Sequence, residues 1–153
     1  MIKFSLSVVI HRPVEEVFAY ANDISHWAEW NPGLIEASAP EGPFHAGTRI
    51  REVFRFLGRR IESTFEVVEY EPNRQVTYRT VAGPIPMTGT QTYEPVDGAT
   101  KLTVSGEGEA GGFFKLAEPV VAQMTRRQFQ TGLDNLKDLL EAQVPASSGG
   151  ASR

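Results

Sequence analysis

Glu52 is the residue of this chain best placed to do chemistry, because it sits where a carboxylate is costly. On the segment 48–56 its period-two neighbours are Ile50, Phe54 and Phe56, so an alternating strand carries the carboxyl group on an apolar face. A carboxylate there must be paired, solvated or shifted toward its neutral form. Held near neutrality it can give or take a proton, which makes Glu52 a candidate general acid or base. Two other arrangements fit the same residues. A register displaced by one residue would turn Glu52 outward, and an Arg at the sheet edge would pair it.

Three more polar groups recur at the same spacing on neighbouring segments. Val76, Tyr78 and Thr80 share a face, as do Met87, Gly89, Gln91 and Tyr93. Phe65 and Val67 align with Ser63, and Leu102 and Val104 align with Gly106. Tyr78, Gln91 and Tyr93 are thus candidates to place hydroxyl and amide groups in an otherwise aromatic pocket, with Phe54 and Phe65 as apolar contacts. Tyr93 joins Glu52 as a candidate catalytic group. Each tyrosine also suits an ordinary core position with its hydroxyl at the surface. Trp27 and Trp30 lie three residues apart, so they share one side of a short helix. Trp30, before Asn31-Pro32, reads as a core anchor and Trp27 as a residue of the pocket rim.

Other chemistries lack their signatures. His11, His26 and His45 show no metal-binding spacing, and His26 beside Trp27 fits either a cavity mouth or the surface. No GxSxG elbow or P-loop occurs. The run 106–112, GEGEAGG, lacks the following Lys-Ser/Thr and reads as a strand-to-helix joint whose glycines would let the helix shift and gate a pocket. With no Cys there is no disulfide, thiolate metal site or Cys nucleophile. No metal and no cofactor is expected.

The elements that must position these groups follow from the hydrophobic period. Residues 2–11 alternate as a strand. Pro13 then starts a helix with Glu15 and Glu16 near its N-terminal dipole. Asn22-Asp23 ends that helix and caps a second, roughly Ile24 to Trp30, stopped by Asn31-Pro32-Gly33. The period becomes two over 34–39, 48–56, 60–70, 74–81, 87–96 and 100–109, joined by short turns such as Leu57-Gly58-Arg59, which implies an antiparallel meander. Beyond Gly111-Gly112 a long helix runs to about Ala142, with Pro119 near its start or as a kink. One of its faces carries Ala117, Val120, Met124, Gln128, Thr131 and Asn135, and another Phe129, Leu133, Leu136 and Leu140. The second reads as core. The first mixes apolar, amide and hydroxyl groups, as a cavity wall or a solvent-wetted edge would; on the former reading Met124 and Gln128 are ligand contacts. Residues 1–143 are expected to form one domain, and 144–153, rich in small polar residues, a disordered tail.

Composition narrows the partners. The chain has 153 residues, 41% hydrophobic and 22% charged, enough for a sizeable core. Fifteen Lys+Arg against 19 Asp+Glu give a net charge of −4 without a basic face, so nucleic acid is not an expected partner. Arg49, Arg51, Arg55 and Arg79 fall on outward strand positions. No apolar run approaches the roughly 20 residues needed to span a bilayer, and the N-terminus does not resemble a signal peptide. A cytoplasmic protein without stable membrane insertion is expected.

The succession Ile10-His11-Arg12-Pro13, Val14-Glu15-Glu16-Val17-Phe18, Asp23, Trp30-Asn31-Pro32 and the terminal Leu133–Glu141 resembles the START-like (SRPBCC) superfamily, in its polyketide cyclase/dehydrase and lipid-transport branch. The likeness spans residues 2–143. It implies an α+β helix-grip fold: a curved antiparallel sheet of about seven strands wrapped around the C-terminal helix, two short helices after the first strand, and an internal cavity. It further implies a small hydrophobic or aromatic ligand, polyketide-, isoprenoid- or lipid-like, in that cavity. A polyketide cyclase or dehydratase using pocket Glu and Tyr groups is the alternative, and a non-catalytic interaction module a third. Aromatase/cyclase members fold their substrate with pocket Arg and Tyr groups, and no Arg maps onto an inner position of this chain.

Overall fold

The computed structural model describes residues 2–40, 44–109 and 117–143. Its strands are β1 (Ile2–Ile10), β2 (Leu34–Ser38), β3 (Arg49–Phe56), β4 (Arg59–Glu71), β5 (Gln75–Ala82), β6 (Met87–Val96) and β7 (Ala99–Gly108). The helices are α1 (Val14–Ala21), α2 (Trp27–Trp30) and α3 (Glu118–Ala142), with a single 3-10 turn at Ile24–His26. Thus the second predicted helix divides into the 3-10 turn and α2. All seven strands pair antiparallel in one sheet, in the order β1-β7-β6-β5-β4-β3-β2. β1 and β2 follow one another in sequence yet form opposite edges, and α1, the 3-10 turn and α2 cross the gap between them. This is the helix-grip architecture.

Local chemistry sets these boundaries. Pro13 caps α1 in extended conformation, and Asn22 ends it with its N–H on Phe18 and Tyr20 carbonyls. Asp23 then caps the 3-10 turn, its Oδ1 accepting from Ser25 N and Oγ at 3.0 and 2.7 Å. In the β3–β4 hairpin, Leu57 and Gly58 both have positive φ, 50° and 75°, as a two-residue turn matched to strand twist requires. Pro119 lies in the first turn of α3, where its missing N–H costs nothing. The predicted Gly111-Gly112 joint and the tail 145–153 lie outside the described residues.

The core lies between the inner sheet face and α3. Ile10, Val17, Ile50, Val67, Val76, Leu102, Leu136 and Leu140 are among its fully buried side chains. β4 departs from simple alternation: a register shift between Val67 and Glu69 leaves Val68 exposed and returns Tyr70 inward, where its ring meets Phe18 edge-on at 5.6 Å. α3 is also rotated from the predicted orientation. Its buried stripe is Val121, Thr125, Gly132, Leu133, Leu136 and Leu140, while Val120 and Thr131 are exposed. Phe129, expected in the core, is 37% exposed and stacks on Phe4 at 4.7 Å.

The end of α3 is fastened to the end of β1. Glu141 accepts from His11 N at 2.8 Å and from Lys137 Nζ at 2.7 Å, and Lys137 also donates to Val9 O. These donors lower the Glu141 pKa to about 2, Lys137 first among them. A carboxylate whose folded pKa lies below its ordinary value contributes stability above that ordinary value and loses it as pH falls through the folded one. Glu141→Gln is therefore expected to flatten the acid limb of the pH–stability curve between about pH 4.5 and 2, measured by urea unfolding. An unchanged acid limb would assign the latch no ionic role.

Candidate functional site

Between the sheet and α3 lies a cavity of about 240 Å³. Its wall is rich in aromatic rings: Phe54 and Phe56 of β3, Phe65 of β4, Tyr78 of β5, Trp27 and Trp30 of α2, and the stacked Phe4 and Phe129. Gly106 makes the stack possible, because a Cβ there would come within 2.9 Å of the Phe4 ring.

Glu52 faces this cavity from the middle of β3, directly across the strand pair from Ser63, which also lines it. Arg49, Arg51 and Arg55 alternate with it and are exposed; Arg51 pairs with Glu62 at 2.6 Å and Glu36 at 3.1 Å, and Arg79 of β5 pairs with Glu66. No hydrogen-bond or ion-pair partner of Glu52 occurs among the described residues. Enclosure by protein pushes its pKa up to about 7. Its residual accessibility is to the cavity, which is why a side chain only half-buried by area is so strongly desolvated.

The polar wall next to it is a connected chain. The Tyr78 hydroxyl donates to Asn22 Oδ1 at 3.0 Å, Asn22 Nδ2 donates to the Tyr93 hydroxyl at 3.1 Å, and Tyr93 donates to Gln91 Oε1 at 2.6 Å. Burial raises both tyrosines above the usual phenol range; at Tyr78 the neighbouring Tyr93 and Glu52 add to it. Both are hydrogen-bond donors at neutral pH, not bases. Asn22 also donates to Phe18 O at 3.0 Å, so one amide ties α1 to β5 and β6.

The short helices are held by similar bonds. Trp27 Nε1 donates to Ala21 O at 2.9 Å, fixing an indole that meets Phe44 and Tyr78 edge-on. Gln128 Nε2 donates to Pro32 O, and Asn135 Nδ2 reaches Trp30 O at 3.4 Å. The amides on the mixed face of α3 therefore strap α2's exit to the long helix. Trp30 Nε1 is buried without a hydrogen-bond partner among the described residues.

Of the predicted ligand contacts, Trp27, Glu52, Phe54, Phe65, Tyr78, Gln91 and Gln128 line the cavity. The structure places two others elsewhere. Tyr93 is 2% exposed behind Gln91, with its hydroxyl engaged by Gln91 and Asn22, so it does not reach the cavity as a catalytic group would. Met124 packs beside Ile2, Phe56, Ile61 and Val121, because the rotation of α3 turns Thr125, Gln128, Phe129, Gly132 and Leu133 to the cavity instead. The sequence reading missed Thr125 and Gly132 on the helix and Asn22 behind the wall. Asn22 was legible only as a helix end, since its partners lie 56 and 71 residues away. His26 is a surface group, stacked on Tyr20 at 4.4 Å and paired with Glu29 at 3.1 Å. No cluster of three or more His, Asp or Glu suited to a metal ion, and no helix long and apolar enough to cross a membrane, occurs among the described residues.

A curved seven-strand sheet gripping a long helix around a cavity defines a START-like protein. The chain belongs to the polyketide cyclase/dehydrase and lipid transport family, whose model matches residues 1–141. Solved structures share the fold at low identity. A protein of Thermus thermophilus is 19% identical with a TM-score of 0.79, covering 92% of this chain and 97% of its own. The Zhui aromatase/cyclase of Streptomyces sp. R1128 is 17% identical with a TM-score of 0.77, covering 95% and 96%. A START superfamily protein of Mycobacterium smegmatis is 15% identical with a TM-score of 0.74, covering 92% and 98%. The comparison with curated protein sequences gives no match.

Proposed function

We propose that this protein binds a small, hydrophobic, largely aromatic ligand of one or two rings in the cavity under α3. The observation that carries the proposal is a partly open cavity of about 240 Å³ whose lining is mostly apolar and rich in aromatic rings, with hydroxyl, amide and carboxyl groups set among them. Its size bounds the ligand. A cavity of roughly 150 Å³ accepts benzene, and drug-sized ligands occupy roughly 300–1,000 Å³. The present volume suits a compact molecule of one or two rings and weighs against a long folded poly-β-ketone.

Native mass spectrometry of freshly purified protein tests this directly, since a retained ligand shows as an added mass. A designed variant supplies the control. Gly89 lines the cavity from β6, and a Cβ there meets nothing closer than Ser105 O at 3.6 Å. Gly89→Leu is therefore expected to fill the cavity without backbone strain, keep the fold and weaken ligand binding at least about tenfold, read by quenching of the Trp27 and Trp30 fluorescence. Unchanged affinity would remove the cavity as the site.

One observation supports a catalytic reading as the alternative. Glu52 faces the same cavity without a partner, its pKa about 7, beside the protonated phenol of Tyr78. A carboxyl group that titrates near neutrality is the general acid or base that cyclisation or dehydration of a ketone-bearing substrate needs; the Tyr78 proton is already committed to Asn22. The fold shared with the Streptomyces aromatase/cyclase is compatible with this and does not carry it.

A further inference from the structure

The ionisable groups of the cavity wall have an unusual balance. Among the described residues Glu52 faces the cavity without a hydrogen-bond or ion-pair partner, and no Lys, Arg or His lines that space. The arginines nearest in sequence, Arg51 and Arg55, are on the exposed side of β3. The same space is lined by the rings of Phe54, Phe65, Tyr78 and the two tryptophans. Such a wall complements positive charge twice over: by an unpaired carboxylate, and by aromatic faces whose quadrupoles attract a cation. It penalises negative charge equally, since an acidic ligand would bring a second anion into a space lined by no cation among the described residues.

We propose that the cavity selects a protonated aromatic amine, with Glu52 as its counter-ion, over neutral and acidic molecules of the same shape. This rests on the cavity being the binding site and names the class of ligand it takes. Binding such an amine balances the carboxylate's charge: the ammonium gains a charge-assisted hydrogen bond, and Glu52 gains a partner that none of the described residues supplies. A free fatty acid or other carboxylate has no comparable complement.

The test uses three probes with one ring system: 2-naphthylmethylamine, 2-naphthylmethanol and 2-naphthoic acid. Each is titrated calorimetrically into the wild-type, Glu52→Gln and Gly89→Leu proteins above neutral pH, where Glu52 is ionised. The amine is expected to bind wild type at least about tenfold more tightly than the alcohol, and the acid more weakly than either. Glu52→Gln is expected to bring the amine to the level of the alcohol. If the alcohol or acid binds as tightly as the amine, and Gly89→Leu weakens that binding, the charge preference is overturned while the cavity stands. An amine preference that survives Glu52→Gln overturns the role of Glu52. If none of the probes binds wild type, or Gly89→Leu leaves all of them unaffected, the cavity reading falls and the inference with it.

Discussion

Glu52→Gln is expected to make the protein more stable at about pH 8, and to remove much of the loss of stability that wild type undergoes between about pH 4.5 and pH 7. The folded-state pKa of Glu52 is raised from 4.5 to about 7 because the side chain is enclosed. A group with a raised folded pKa contributes its full stability below the unfolded value, and that stability is lost as pH climbs through the folded one. Here the loss grows from about pH 4.5 to about pH 7 and then levels off. At 1.36 kcal/mol per unit, it reaches at most about 3 kcal/mol, an upper bound because water admitted to the cavity solvates the carboxylate. Gln keeps the shape and cannot ionise. Urea midpoints of the two proteins should therefore be close at low pH and diverge above neutrality, with the variant the more stable. Parallel curves would mean that Glu52 is well solvated or paired. The same variant bears on the catalytic reading, because any cyclisation that uses Glu52 as its base should be lost with the carboxylate. Gain of stability with loss of function is the usual signature of a functional group held in an unfavourable place.

How far the sequence reaches depends on whether a feature is local. Glu52 could be placed on an inner face because Ile50, Phe54 and Phe56 share its parity and β3 pairs with β4 without a register shift; the outward arginines followed from the same count, although Val53 on their side is buried. The N-terminal strand–helix order was legible because Pro13, Asn22 and Asp23 act on their own neighbours. β4 was harder: the bulge near Val68 is specified by pairing with β5, and it alone decides that Tyr70 faces inward. α3 carries two plausible stripes about a third of a turn apart, and only packing against the sheet selects the orientation that exposes Val120 and brings in Thr125 and Gly132. Small and hydroxyl residues give no hydrophobic signal, so a helix face that leaves room for a ligand is the least visible kind. The link through Asn22 is invisible for another reason: it joins three elements distant in sequence.

The second large effect is expected at Leu136, on the part of α3 that is packed instead of hollow. Leu136 is 0% exposed and belongs to the main core with Leu133, Leu140, Val17 and Leu102. Leu136→Ala removes buried methyl groups and leaves a void that surrounding side chains only partly fill, a change that costs about 2–5 kcal/mol. Against a net stability of roughly 5–15 kcal/mol this is a large fraction, and a loss of about 3 kcal/mol corresponds to roughly 6–12 °C in Tm. The collapse is limited here because α3 is fastened nearby, by Lys137 to Val9 and by Glu141 to His11, so the helix cannot simply sink toward the sheet. The expected cost therefore lies in the middle of the range or above it. Chemical denaturation should show a lower midpoint with an unchanged slope. A loss below about 1 kcal/mol would mean that the C-terminal half of α3 repacks freely, as if it too faced a cavity. Gly89→Leu should do the reverse, changing ligand affinity while leaving the midpoint close to wild type. The two variants together separate the stretch of helix that holds the fold from the stretch that roofs the site.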